Sequence, residues 1–324
     1  MYTAQAAKKG GAFYQPPCLV EMINMNLIKK SKNFSLHLML LPAMILLIVF
    51  SYVPMAGIVI AFQDFIPAKG LLGHQEWVGL KNFELILSNP FVYRVLRNTL
   101  IIAFAKIILG LIIPIAFAIL LNEIRNTAYK RTIQTLVYLP HFLSWVLLAG
   151  ILIDILSPST GIVNSLLKSF GMNPIFFLGD PKWFQPTIVI TDVWKEFGWS
   201  TILYLAAITS INPSLYESAK MDGAGRFRQM ITITLPGMSM IIAMLAILSI
   251  GNILNAGFDQ IFNLYHAGVY ETGDIIDTFV YRMGLIDAKF GPATAVGLFK
   301  SVVSLILITA SYYGAYKFAD YRIF

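Results

Sequence analysis

Six runs of about 20–25 mostly apolar residues leave this chain few ways to fold. They lie at 38–62, 99–121, 132–156, 187–209, 235–258 and 292–316. At ~1.5 Å per residue each helix reaches about 30 Å, the thickness of a bilayer core. Hydrophobic residues make up 57% of the 324 positions and charged residues 13%. A soluble surface needs roughly a quarter charged residues, so much of this surface faces lipid. A transmembrane barrel would show alternating segments of about 10 residues instead. The expected fold is an all-α membrane protein with six transmembrane helices.

Loop charges orient the spans. With the N-terminus inside, segments 1–37, 122–131, 210–234 and 317–324 hold 13 Lys and Arg in 80 residues. The opposite segments, 63–98, 157–186 and 259–291, hold 8 in 99. Basic residues favour the cytoplasmic side, so both termini are expected there, with Arg125, Lys130 and Arg131 as the tightest cluster. The domain plan is a cytoplasmic tail at 1–37, a six-span domain at 38–316 and a short tail at 317–324. The first apolar run is too long for a signal-peptide core and is expected to be retained. In the segment 77–97, Leu80, Phe83, Leu87, Phe91 and Val95 recur at helical spacing. That pattern predicts an interfacial helix or one packed over the bundle.

Several chemistries lack their residues. The net charge of +7 sits at span ends, where orientation and anionic headgroups account for it; nucleic acid is not an expected partner, whereas lipid is. A single cysteine, Cys18, allows neither an internal disulfide nor a cysteine metal cluster. The sequence contains no G-x-x-x-x-G-K-[ST] phosphate loop, no H-E-x-x-H and no G-x-S-x-G. An enzyme therefore has no nucleophile, base, metal or bound cofactor to work with. His141, after Pro140 inside a span, reads as a satisfied interior histidine.

Ionisable residues inside spans are costly and face the bundle interior or a water-filled path. Asp192, Lys195, Glu196 and Trp199 fall on one face of the fourth run at i, i+3, i+4 and i+7. Trp194 points roughly the other way at ~100° per residue. Aromatic faces beside charged groups suit a sugar; an intrahelical ion pair with two interfacial tryptophans fits the same pattern. Asn252 and Asn255 flank a glycine-interrupted end of the fifth run, and Tyr265 follows in the next loop. Irregular polar backbone near a membrane lines a cavity or is buried in protein. Trp194, Lys195, Glu196, Trp199, Asn252, Asn255 and Tyr265 are thus the candidate path residues. A secondary transporter using Asp192, Lys195 and Glu196 as an ion site is the alternative reading.

Between the fourth and fifth runs the chain becomes polar, over 214–236, reading SLYESAKMDGAGRFRQMITITLP. Asp222-Gly223 ends one helix, and Leu235-Pro236 stands where the chain re-enters the apolar phase. Glu217-Ser218-Ala219, three residues, Gly223, nine residues and Ile233-x-Leu235-Pro236 resemble the cytoplasmic loop signature E-A-A-x3-G-x9-I-x-L-P of ATP-binding-cassette importer permeases. Ser218 replaces the usual alanine, one small residue for another. The resemblance extends to polysaccharide-importer permeases through Trp77–Phe83, Leu121–Arg125, Tyr138–Phe142, Ile250–Asn255 and Val296–Lys300.

This resemblance implies a permease subunit in a bacterial cytoplasmic (inner) membrane. Its partners would be a second related permease, two ATPase subunits, a periplasmic or surface-anchored solute-binding protein and a saccharide. Within the loop at 210–236, Glu217, Ser218, Ala219, Asp222, Gly223 and Ala224 would form the coupling helix and turn that dock on the ATPase. ATP and Mg would be used by that partner and not by this chain.

Overall fold

The computed structural model describes residues 36–71 and 73–319. Most of the expected N-terminal tail, with Cys18, and the end of the C-terminal tail lie outside the described residues. The chain divides into two compact units, Met1–Gly57 and Ile58–Phe324.

Helix α1 (Leu36–Phe62) starts in the first unit and runs into the second; it is exposed at every described position up to Ala56. Leu40, Leu46, Ile48 and Phe50 all face outward, as suits a helix solvated by lipid or covered by another chain. A widened π turn at Ile48–Tyr52 precedes Pro54. Proline lacks an N–H and its ring presses on the carbonyl four residues back, so the local ladder opens there.

The second unit begins with a two-residue hairpin, β1 (Gln63–Asp64) against β2 (Glu76–Trp77). Helix α2 (Lys81–Ser88) follows, then α3 (Pro90–Glu123). The interfacial helix expected over 77–97 is therefore two pieces. Asn89 caps α3 by accepting from the Phe91 N–H, Pro90 takes its first turn, and 90–97 belong to the long helix. Phe83 packs over a buried cluster with Val95, Ile276 and Val296, so α2 lies on the bundle.

Beyond α3, α4 (Thr127–Tyr138) runs into a tight turn at Leu139–Phe142, and α5 (Trp145–Leu156) leaves it. The axes bend by 105°, because Pro140 and the capping Ser144 end one helix and start the next. The short α6 (Ile162–Ser169) leads to α7 (Pro181–Thr209), 29 residues long. Then come α8 (Pro213–Met221), α9 (Arg226–Gly237) and α10 (Ser239–Gly251), the last two bent by 57°. The chain closes with α11 (Phe258–Leu264), α12 (Ile276–Tyr281) and α13 (Phe290–Ala319).

Helices α1, α3 and α13 are each long and apolar enough to cross a membrane, and so is each bent pair taken as one span. The remaining expected run, 187–209, is α7, whose length suffices but which carries Lys182, Asp192, Lys195 and Glu196. Packing relates the crossings. Ile102 and Ala103 of α3 cluster with Ile188 and Val189 of α7, and Ala118 and Leu121 cluster with Tyr204 and Ile208. The two helices are thus parallel, so the chain between them crosses once in return. Helix α10 is antiparallel to both: Met238 sits in the Leu121–Tyr204 cluster, while Asn252 lies level with Ala103 and Lys106.

Gly198 sets one close approach. A Cβ there would lie 2.3 Å from the Val137 carbonyl oxygen of α4. Gly198→Ala is expected to push α7 off α4 and cost about 1–3 kcal/mol, read as a lower unfolding temperature of the detergent-purified protein.

Candidate functional site

Lys106 is the one cation in the apolar run 99–121 of α3, and its surroundings follow from that. An ammonium has three protons to donate and cannot stay unpaired away from water. Its Nζ donates to Asp192 Oδ1 at 3.0 Å, to the Ala256 carbonyl at 2.8 Å and to Gln260 Oε1 at 2.6 Å. Gln260 is fully buried and donates in turn to the Ile188 carbonyl at 2.8 Å and to Thr191 Oγ1 at 2.9 Å. One cation thus ties α3 to α7 and to the irregular turn that follows α10. That turn passes through Gly257 at φ +92°, where a Cβ would lie 2.9 Å from Lys106 Nζ. Only glycine holds this backbone without strain and leaves room for the ammonium.

A cleft of about 440 Å³ opens beside this junction, lined by Lys106, Asp192, Ser200, Ser249, Asn252 and Asn255 among others. Both asparagines are exposed. The cleft mixes apolar wall from Ile107, Leu245 and Leu248 with polar, charge-balanced groups. It offers hydroxyls, amides and the second carboxylate oxygen of Asp192, while the protons of Lys106 are all taken.

The rest of the charged stripe on α7 goes elsewhere. Lys195 donates to Glu196 Oε1 at 2.7 Å and to the His141 carbonyl at 3.1 Å, with its ammonium 5.5 Å from the Trp145 ring centre. Glu196 Oε2 lies 2.7 Å from His141 Nδ1. The imidazole stacks on Trp199 at 4.5 Å and 4°, and Phe142 meets that indole edge-on. Of the expected path residues, Asn252 and Asn255 share the cleft, joined there by Asp192 of the charged stripe. Lys195, Glu196 and Trp199 form a second corner against the Leu139–Phe142 turn. Trp194 lies on an exposed part of α7. Tyr265 lines a separate pocket of about 430 Å³ with Asp154, Phe176, Asn263 and His266. Burial, with Tyr270 adding to it, pushes its phenol above the ordinary value and keeps it neutral.

At the end of the bundle that carries 122–131, the polar segment folds as a helix and a sharp turn. Asn212 caps α8 by accepting from the Ser214 N–H at 3.0 Å, and Pro213 takes its first turn. The helix ends in a Schellman turn: the Ala224 N–H reaches the Ala219 carbonyl at 2.8 Å and the Gly223 N–H reaches Lys220 at 3.0 Å. Gly223 has φ +76° there. Glu217, Ser218, Asp222 and Gly223 are exposed, and Ala219 and Ala224 are partly covered. Two bonds fasten this unit to α9: Tyr216 Oη to Thr234 Oγ1 at 3.0 Å, and Gln229 Nε2 to the Ala224 carbonyl at 2.7 Å. Arg226 pairs with Glu123 at the end of α3.

These features describe a membrane-embedded helical bundle with a partly polar cleft and an exposed, rigidly attached helix at one end. Residues 106–322 match the family described as binding-protein-dependent transport system inner membrane component, and the chain belongs to that family. It is 45% identical over 298 residues, 92% of each chain, to the polygalacturonan/rhamnogalacturonan transport system permease protein YteP of Bacillus subtilis (strain 168). It is 44% identical to protein LplB of the same organism, over 89% of this chain and 91% of that one. Among solved structures, a bacterial ABC transporter involved in the import of the acidic polysaccharide alginate aligns with TM-score 0.83 and 39% identity, covering 90% of this chain and 99% of that one. A bacterial alginate ABC transporter in complex with its alginate pentasaccharide-bound periplasmic protein aligns at 0.81, also with 39% identity, over 89% and 96% of the two chains.

Lys106→Met is expected to strand Asp192 and Gln260 without their donor. Removing one partner of a buried pair costs about 3–5 kcal/mol. The double variant Lys106→Met/Asp192→Asn should recover part of that loss in thermal unfolding of the purified protein. A double variant destabilised by the full sum of the two single substitutions would show that the pair is not coupled.

Proposed function

We propose that this chain is the membrane-spanning permease subunit of an ATP-driven importer for oligosaccharides of an acidic polysaccharide. It would line half of the path, with a second related permease lining the other half. A solute-binding protein would deliver the sugar from outside, and two ATPase subunits would supply ATP and Mg chemistry inside. The sequence holds no phosphate-binding loop of its own, in keeping with a subunit that leaves hydrolysis to a partner. The acidic class is drawn from the transport systems named for the relatives, and the balanced charges of the cleft accommodate it without selecting it.

The observation that carries this reading is the exposed helix α8 with its Schellman turn. It presents Glu217 and Asp222 outward, lies at the basic end of the bundle, and is bonded to α9. On this reading that end is cytoplasmic, and α8 docks in a cleft of the ATPase. Closure of the ATPase pair would push on α8, shift both α7 and α10, which share a buried cluster, and alternate the access of the cleft. Delivery protein and ATP must both favour the outward-open form for the cycle to run forward. Asn252 and Asn255 would hold sugar hydroxyls, with Lys195, Glu196, Trp199 and Trp194 further along the path or against the partner permease. The ion-coupled alternative is not favoured: it leaves α8 without a role, and Asp192, Lys195 and Glu196 are already committed to partners.

Gly223→Pro cannot adopt φ +76° and removes the N–H bonded to Lys220. In proteoliposomes the variant complex is expected to hydrolyse ATP with uptake reduced at least about tenfold; normal uptake would refute the coupling role. Asn252→Ala is expected to lower uptake and leave basal hydrolysis unchanged, and unaltered uptake kinetics would remove Asn252 from the path.

A further inference from the structure

Helix α11 has two unlike faces. Gln260, Ile261 and Leu264 point into the core and are buried. On the other side Phe258, Phe262 and Tyr265, at i, i+4 and i+7, remain only partly covered. Their rings form a row: Phe258 to Phe262 at 5.1 Å and 21°, and Phe262 to Tyr265 at 6.2 Å. Tyr281 of α12 braces Phe262 edge-on at 4.8 Å, and Tyr270 extends the row beyond Tyr265 at 5.2 Å.

The row has a pocket at each end. Phe258 follows directly on Asn255, Ala256 and Gly257, which line the cleft beside Lys106. Tyr265 is itself a wall of the second pocket, where Phe176 stacks near His266 at 6.5 Å. Polar groups run alongside: Asp259 is exposed, and Asn263 donates to the Asp259 carbonyl at 2.7 Å. A purely structural aromatic cluster would be covered over, and a lipid-facing one would carry no acid and amide on its flank. A pyranose has apolar C–H faces and a rim of hydroxyls, and it matches rings in a row beside acceptors and donors.

We propose that Phe258, Phe262 and Tyr265 form an aromatic track that holds successive sugar units between the outer pocket and the Asn252–Asn255 cleft. The inference rests on the saccharide-import reading above and adds to it a second, extended contact region. Each ring is sequence-tolerant toward the sugar, because it reads a face and not a hydroxyl pattern. The track therefore favours long chains over short ones: a disaccharide fits within one pocket, while a hexasaccharide bridges both.

The test uses the complete transporter in proteoliposomes with a disaccharide and a hexasaccharide of galacturonate as probes. Phe262→Ala and Tyr265→Ala are expected to raise the KM for the hexasaccharide about tenfold, equivalent to ~1.4 kcal/mol. The KM for the disaccharide should change less than about twofold, a shift of only ~0.4 kcal/mol. Phe262→Trp keeps an aromatic face and should retain hexasaccharide uptake, a rescue that a loss of folding would not show. Equal losses on both probes, or no loss on either, would overturn the track while leaving the import function intact. Failure of the unaltered complex to take up either probe with ATP would instead overturn the acidic-saccharide reading, and the track with it.

Discussion

A charge in an apolar medium must be answered within its own hydrogen-bonding reach, and in this bundle that requirement falls on Lys106. Its three protons go to a carboxylate on α7, a carbonyl in the turn after α10 and a buried amide on α11. Around that point the parallel pairing of α3 and α7 is aligned, and the glycine turn that ends α10 is held open. The turn pinned there supplies Asn255, Ala256 and Gly257 to the wall of the cleft. If Lys106 were apolar, hydrophobic burial could hold the same helices together, but nothing would specify where the chain after α10 leaves the bundle.

The same rule explains why the charged face of α7 serves two places. Asp192 is drawn to Lys106, whereas Lys195 and Glu196 satisfy each other and the exposed backbone of the Leu139–Phe142 turn. That turn has free carbonyls because Pro140 interrupts the helix, and the His141 carbonyl and imidazole both find partners on α7. A break in one helix is thus repaired by polar side chains from another, as expected where broken helices persist at membrane depth.

Much of the architecture was legible from the sequence, since a bilayer constrains length and polarity so strongly. The apolar runs anticipate α1, α3, α7 and α13, and the Glu217–Gly223–Pro236 spacing anticipates a helix, a left-handed glycine and a return helix. His141 is the satisfied interior histidine its setting predicted, bonded to Glu196. What escaped was partnership at long range. Lys106 and Asp192 are 86 residues apart, and helical periodicity relates only near neighbours. The signal that could have found Lys106 is its isolation as a cation within an apolar run. Two-residue strands such as β1 and β2 leave no period to read, and the contacts of the Pro140 turn with Lys195 and Glu196 of α7 lie more than 50 residues away in sequence.

The arms that lead away from α8 are not built alike. On one side α7 is an uninterrupted helix of 29 residues. On the other, α9 holds a widened π turn at Met230–Thr234 immediately before Pro236, the same arrangement as in α1, and then bends by 57° into α10. In mechanical terms the first arm is a stiff rod and the second a jointed strut. A displacement applied at α8 reaches the far end of α7 nearly undiminished but is partly absorbed as flexion before it reaches α10. Under the proposed coupling, the two walls of the cleft that these arms carry would move by unequal amounts, and the cleft would change shape as well as orientation.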